Sequence, residues 1–334
     1  RLLTGVLAVQ DFDSMITGDD SLKKRPMGRI IKPLTSYGAK IKSNEYKAPL
    51  SIYGSSTVNP IKYDQDVASA QVKSCLILSA LYISGESTFY EQIQTRDHTE
   101  NLLEHLSYEI HRDSNFISLN GKQKLIAKDI FIGSDISSAA FFIVASLIVD
   151  GSSIEMRNVN INRLRTGIVT VLKGMGADIE ISDIKKVSNE FLGNIKVRHS
   201  KLKCADIKGD IIPSLIDELP ILFIACASAS GTSKISGIEE LRYKESDRIM
   251  AMENGLRAIG INVHSSKDSI EITGGKITGG KVNSYDDHRI AMSFAIAGLI
   301  SQHSLTIMDT QNISTSFPTF VTILRELGVE VFEV

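Results

Sequence analysis

The sequence predicts an α/β fold of repeated helix and strand units, and three observations carry that prediction. The chain has 334 residues, which at roughly 150 residues per domain points to two domains with sizeable cores. A Leu-x-x-x-Gly-x-x-[Ile/Val] element, or a degenerate copy, recurs at Leu34, Leu106, Leu172, Leu256 and Leu324, with a mean spacing of 72.5 residues. Upstream, an apolar stretch rich in Ala and Ser followed by a β-prone segment recurs at 69–88, 137–153, 216–233 and 286–304. A period of tens of residues dictates architecture, because each repeat contributes one supersecondary unit.

The elements follow in chain order. Arg1-Leu2-Leu3-Thr4-Gly5 has the look of a helix already under way with no initiator Met, so the expectation is that Arg1 is not the start of a gene product. At Leu34 the segment LTSYGAKI reads as a last apolar turn, a Gly able to take positive φ, then a strand. Residues 69–88 read as a helix leading through Gly85 into a strand, and small residues along such helices let several pack side by side. The stop at Leu106 lacks its Gly and is the weakest copy. Residues 137–153 give the next apolar helix, with the strand Ser153-Ile154-Glu155-Met156 behind it. Leu172 closes a helix, 216–233 opens another, and Leu256 closes its partner. The fourth apolar helix lies in 286–304, the strand Leu305-Thr306-Ile307-Met308 follows, and Leu324 marks the last stop.

Composition excludes several classes of function. With 43% hydrophobic and 23% charged residues the chain is globular rather than disordered. Lys plus Arg is 37 against 39 for Asp plus Glu, a net charge of -2 without a basic tract, so bulk charge gives no support for nucleic-acid binding. The longest apolar run, Ala139 to Val149, falls short of the ~20 residues of a membrane span and reads as a buried helix. Cys75, Cys204 and Cys226 form no framework, which fits a reducing compartment, and the apolar runs around Cys75 and Cys226 predict buried thiols. There is no Gly-x-x-x-x-Gly-Lys-[Ser/Thr], His-Glu-x-x-His, Cys-x-x-Cys or Gly-x-Ser-x-Gly motif, and the seven histidines show no metal-ligand spacing.

The functional signal lies in polar segments ahead of the helices, where exposed N–H groups favour anions. Four stand out: Arg25-Pro26-Met27 with Arg29, Thr95-Arg96-Asp97-His98-Thr99-Glu100, Leu241-Arg242-Tyr243-Lys244-Glu245-Ser246-Asp247-Arg248, and Ser284-Tyr285-Asp286-Asp287-His288-Arg289. Arginine at such sites suits bidentate capture of phosphate or carboxylate, and Ser69 and Gln71 add directional hydrogen bonds. For any one segment, a solvated helix start with routine capping and ion pairs is the competing interpretation; four in related repeat positions weaken it.

At these residues the sequence resembles the 5-enolpyruvylshikimate-3-phosphate synthase (3-phosphoshikimate 1-carboxyvinyltransferase) family. The resemblance runs through Arg1-Leu-Leu-Thr-Gly, Gly18-Asp-Asp-Ser-Leu-Lys-Lys-Arg-Pro-Met, Ser69-Ala-Gln-Val-Lys-Ser, Arg96-Asp-His-Thr-Glu, Asp135-Ile-Ser-Ser-Ala-Ala-Phe, Leu241-Arg-Tyr-Lys-Glu-Ser-Asp-Arg and Asp286-Asp-His-Arg-Ile-Ala-Met. Ser69-Ala70-Gln71 and Arg96-Asp97-His98-Thr99 resemble its second bacterial class. The resemblance implies a two-domain inside-out α/β barrel of βαβαββ units with the helices buried. It further implies an incomplete first domain at 1–132, a three-unit second domain at 133–334, and about one and a half units missing before Arg1.

Carried over by position, Ser69, Ala70, Gln71, Arg96, Asp217 and Lys244 would hold shikimate 3-phosphate, and Arg25, Gln71, Arg248 and Arg289 phosphoenolpyruvate. Asp217 matches the general base and Glu245 the residue that handles the methylene proton. The implied reaction transfers the enolpyruvyl group to the 5-hydroxyl and releases phosphate, on the shikimate pathway to chorismate and aromatic amino acids. No metal or other cofactor is expected; a cytoplasmic monomer with neither membrane nor nucleic-acid partner is. The substrates bring about -3 charge apiece, roughly six in all, and Arg1, Arg25, Arg96, Lys244, Arg248 and Arg289 supply six cations. Asp217→Ala and Arg248→Ala are expected to remove most activity with the fold intact. One departure is Thr315 before Ser316-Phe317-Pro318, where the family commonly has Lys. Two alternatives stand: an inactive fragment or split-enzyme partner of the same family, and the sister transferase acting on UDP-N-acetylglucosamine. The sister enzyme normally has a mobile-loop Cys, and Gly18 to Arg29 contains none.

Overall fold

The structure, a computed structural model, describes residues 1–55 and 57–332. The chain divides into two compact units, Arg1–Ile132 with Lys186–Glu190, and Gly133–Lys185 with Phe191–Val334. Each has its own apolar core.

The first unit runs through α1 (Leu2–Leu7), β1 (Ser14–Ile16), α2 (Asp20–Lys24), α3 (Gly28–Ser36) and the hairpin of β2 (Lys40–Asn44) and β3 (Lys47–Tyr53). It continues with β4 (Lys62–Gln65), α4 (Ala70–Ala80), β5 (Glu86–Glu91), α5 (His98–His105) and the hairpin of β6 (Ile110–Asp113) and β7 (Phe116–Asn120). Its sheets have the orders β1-β3-β2 and β4-β5-β7-β6. In the second sheet β4 is parallel to β5, and the hairpin closes on β5 antiparallel.

The second unit begins with α6 (Ile136–Ile148), β8 (Ser153–Asn160), α7 (Gly167–Gly174), β9 (Asp178–Val187) and β10 (Glu190–Arg198). Next come β11 (Asp206–Ile207), α8 (Leu219–Ser228), β12 (Thr232–Ser236), α9 (Arg248–Ala258), β13 (Asn262–Ser265) and β14 (Ser269–Thr273). The last stretch holds β15 (Gly280–Asn283), α10 (His288–Gly298), β16 (Leu305–Met308), α11 (Ile313–Ser316) and α12 (Phe320–Glu326). The order β11-β12-β14-β13 repeats the β4-β5-β7-β6 sheet, strand direction for strand direction. A lone parallel bridge from Ser134 to Val159 stands beside β8-β10-β9 where that order puts its first strand, and the parallel pair β15-β16 reproduces its first two.

The helix stops share one geometry, and it corrects the sequence register at one of them. Gly38, Gly176, Gly260 and Gly328 all take positive φ just past α3, α7, α9 and α12. In each case the next N–H donates back to the carbonyl of the motif leucine: Ala39 to Leu34, Ala177 to Leu172, Ile261 to Leu256 and Val329 to Leu324, at 3.0–3.1 Å. This is the Schellman bond, which satisfies an orphan carbonyl at the helix end. After α5 the same bond runs from Tyr108 to Leu103 at 2.9 Å, not to Leu106, and Ser107 takes φ 62 in place of Gly. The copy assigned to Leu106 therefore belongs three residues earlier; with no Gly to mark it, the alignment slid to the next leucine.

The apolar segments form interior helices. Eleven of the thirteen residues of α6 and nine of the ten of α8 are buried, so neither helix has a solvent face, and α6, α8 and α10 pack against one another. Between α9 and α10 a Cβ on Gly255 would lie 2.1 Å from the Phe294 ring, so only glycine allows that approach. Cys75 and Cys226 are buried, and burial pushes both thiols up to about 12, while Cys204 is exposed. Among the described residues no helix is long and apolar enough to cross a membrane.

Candidate active site

In the second unit the charged segments converge at the starts of α8, α9 and α10. Asp217 and Glu218 lead into α8, with Pro220 in the first turn, where its missing N–H costs nothing. Lys244 Nζ donates to Asp217 Oδ1 at 3.2 Å. Arg248, the first residue of α9, lies 1% exposed among carboxylates. Its Nε donates to Asp287 Oδ2 at 2.8 Å and its NH2 to Glu245 Oε2 at 2.6 Å, while its NH1 stands 3.8 Å from Asp217 Oδ1. That NH1 makes no hydrogen bond among the described residues. Burial opposes the Arg248 charge, yet Asp287, Glu245 and Asp217 outweigh it and hold its pKa above the ordinary value.

Asp287 is the hub of the cluster. It caps α10 by accepting from Arg289 N at 2.9 Å, and it also accepts from Ser246 Oγ at 3.0 Å. Arg289 NH1 then donates 3.0 Å to the backbone carbonyl of Asp217, tying the start of α10 to the start of α8. Beneath, Glu218 accepts from Ser137 Oγ and lies 3.7 Å from Arg165 and 3.9 Å from Arg289. Burial pushes the Glu218 carboxyl up, against the pull of Arg165 and then Arg289. His288 is held below its usual range by burial and by Arg289. The structure thus brings Asp217, Lys244, Glu245, Arg248 and Arg289 together, with each cation matched by a carboxylate or carbonyl.

The first unit holds the other sequence-predicted residues. Ser69 is the N-cap residue of α4, with Ala70 and Gln71 in its first turn. Arg1 donates to Gln71 Oε1 at 3.0 Å and to the carbonyl of Pro26 at 3.1 Å, so it orients Gln71 and touches the residue after Arg25. Arg25 stands half-buried at the end of α2, just ahead of α3. Arg96 sits half-buried in the irregular stretch that leads into α5. Thr315 lies exposed in α11, and Phe317 packs edge-on against Phe142, 6.0 Å between centroids.

Sequence reasoning missed Arg165, Ser137 and Glu218 in the second unit and Lys73, Glu91 and Glu100 in the first. Arg165 was within reach of the rule already used, because Asn162-Arg163-Leu164-Arg165-Thr166 is one more polar segment ahead of a helix, α7. Of the buried trio, Glu100 lies in the polar segment 95–100, whereas Lys73 and Glu91 carried no such signal. Among the described residues no group of three or more His, Cys, Asp or Glu side chains could hold a metal ion.

A model of the family described as EPSP synthase (3-phosphoshikimate 1-carboxyvinyltransferase) matches residues 1–324. The chain belongs to that family. It is 49% identical over 331 residues to a 3-phosphoshikimate 1-carboxyvinyltransferase of Coxiella burnetii, a match that covers 99% of this chain and 76% of the relative. The EPSP synthase structure from Acinetobacter baumannii superposes with a TM-score of 0.85 at 43% identity, over 97% of this chain and 76% of that one. The enolpyruvyl transferase NikO of Streptomyces tendae shares the fold at a TM-score of 0.79 and 15% identity, over 98% of this chain and 76% of its own.

Proposed function

We propose that this EPSP synthase family member transfers the enolpyruvyl group of phosphoenolpyruvate to the 5-hydroxyl of shikimate 3-phosphate and releases phosphate, acting in the cytoplasm as a monomer. The observation that carries the proposal is the juxtaposition of Asp217, Lys244, Glu245, Arg248 and Arg289 at three helix starts. Ser69, Ala70, Gln71, Arg96, Asp217 and Lys244 are assigned to shikimate 3-phosphate, and Arg25, Gln71, Arg248 and Arg289 to phosphoenolpyruvate. Glu245 delivers a proton to C3 of phosphoenolpyruvate, which makes C2 electrophilic, and the 5-hydroxyl attacks C2 as Asp217 takes its proton. Glu245 then takes a proton back from the C3 methyl as the C2–O bond to phosphate breaks, which restores the double bond and frees phosphate. Rigid salt bridges suit this chemistry, since cations fixed in advance need no reorganisation as charge shifts.

The functional domains are taken as 1–132 and 133–334, each an inside-out barrel half with buried helices, a reading supported in the second domain by the mutual packing of α6, α8 and α10. A two-domain fold of six 72.5-residue units needs about 435 residues, and the quarter of the relatives that this chain does not cover would hold the remaining one and a half. The test is phosphate release from the two substrates, by the 334-residue chain and by its fusion to the uncovered part of the Coxiella relative. Turnover dependent on shikimate 3-phosphate is expected of the fusion. Turnover with UDP-N-acetylglucosamine instead would overturn the proposal.

A further inference from the structure

Arg96 is placed by a segment with no regular structure, since neither helix nor strand covers 92–97. The residues on either side of it are held by side chains. On one side Asp97 pairs with Arg112, which also donates to Asn101 Oδ1 at 2.8 Å. On the other side Thr95 is held at three atoms. Glu91 Oε1 accepts from Thr95 N at 3.1 Å and from its hydroxyl, and the Thr95 carbonyl accepts from Lys73 Nζ at 3.2 Å. Lys73 Nζ also donates to Glu91 Oε2 at 2.9 Å and lies 2.7 Å from Glu100 Oε1. The Lys73 side chain is 1% exposed, Glu91 5% and Glu100 0%, so all three are interior.

Lys73 is one turn into α4, and its own N–H donates to the Ser69 carbonyl at 3.1 Å. A continuous path therefore runs from Ser69 through the Lys73 backbone and side chain to Thr95, the residue bonded to Arg96. We propose that Lys73, acting with Glu91, is a positioning residue that holds Arg96 in register with Ser69 and Gln71 for shikimate 3-phosphate. This rests on the assignment of those three residues to that substrate. Glu100 shares the ammonium but makes no hydrogen bond to Thr95, so it balances charge without setting the loop.

That asymmetry supplies the test. Glu91→Gln turns an amide donor or a weakened acceptor toward Lys73 or Thr95, whereas Glu100→Gln leaves the Thr95 clamp whole. Binding of shikimate 3-phosphate alone is measured by calorimetry on the fusion protein and its variants, alongside KM, kcat and thermal melting. Lys73→Met and Glu91→Gln should weaken that binding at least tenfold, with kcat at saturating substrate within threefold of the parent; Glu100→Gln should shift binding less than threefold. Should Lys73→Met not fold, Glu91→Gln decides. Equal weakening by Glu91→Gln and Glu100→Gln, or unchanged binding in folded Glu91→Gln, would overturn the proposal. Failure of the underlying assignment looks different: Arg96→Ala would then leave binding untouched.

Discussion

Among the described residues each unit buries one cation among carboxylates, and the two are chemically unlike. In the first unit it is Lys73, a point charge on the first helix of its repeat, whose described neighbours Glu91, Glu100 and Thr95 are all interior. In the second it is Arg248, a planar fork at the start of a second helix, with Nε and NH2 engaged and NH1 left 3.8 Å from Asp217. A compact ammonium can satisfy several acceptors converging from different directions, which suits pinning an irregular loop. A guanidinium spreads its donors over a plane, so it can be anchored along one edge and still present another. The contrast separates a cation that only holds structure from one that holds structure and faces the proposed chemistry.

The strongest way to break that contrast is to remove Arg248. Seen as a sequence, Arg248 is an anion contact whose loss spares the fold; seen buried against Asp287, it is also a core ion. Arg248→Met strands a fully buried carboxylate, which costs about 3–5 kcal/mol of stability, and abolishes phosphate release; denaturant unfolding and the release assay check the two halves. Wild-type stability with activity lost would return Arg248 to a purely substrate-facing role.

Asp217 provides the complementary case. Its side chain is 15% exposed, and its backbone carbonyl ties α8 to α10. Asp217→Asn should lower kcat by about 10²–10⁴-fold, the range for a lost general base, with stability changed by less than about 1 kcal/mol. A kcat within tenfold of the parent would remove Asp217 from the base role.

Much of this was legible in sequence because it is local. Helix stops announce themselves through Leu and Gly four residues apart, and arginines ahead of helices through composition. The slipped copy at Leu106 shows the limit: Ser107 adopts the left-handed turn that Gly takes elsewhere, paying conformational strain that no pattern displays. Lys73 shows another limit. Placed in an apolar helix between Val72 and Ser74, it has no local sign of partners, because Glu91 and Glu100 reach it only through the fold. Asp287 lies in a segment picked out by its charge, but its function as the shared acceptor for Arg248 and Ser246 depends on α9 and α10 being adjacent.

A smaller effect tests how tightly Asp287 is held. Ser246→Ala removes one of its donors while Arg248 keeps the charge paired, and the expected loss is about 1 kcal/mol, read by denaturant unfolding. A loss of 3 kcal/mol or more would mean that Ser246, rather than Arg248, is the principal partner.

The smallest predicted effect compares the buried acids of the two units. Glu218 and Glu100 both have carboxyl pKa values raised by burial, against the pull of Arg165 and Arg289 in one case and of Lys73 in the other. A raised carboxyl pKa makes the ionised form a burden on the folded state. Its contribution to stability is therefore fully present below the unfolded value, about 4.3, and is lost as pH rises from there through the folded value. Replacement by Gln removes that slope, so Glu218→Gln and Glu100→Gln should each gain on the parent between pH 4 and pH 7, whatever constant offset the lost ion pairs impose. Unfolding free energies at the two pH values give the difference directly. A gap that stays constant, or that moves the other way, would mean the arginines and the lysine hold these carboxylates ionised as readily as water does, and the two clusters would then differ in geometry alone.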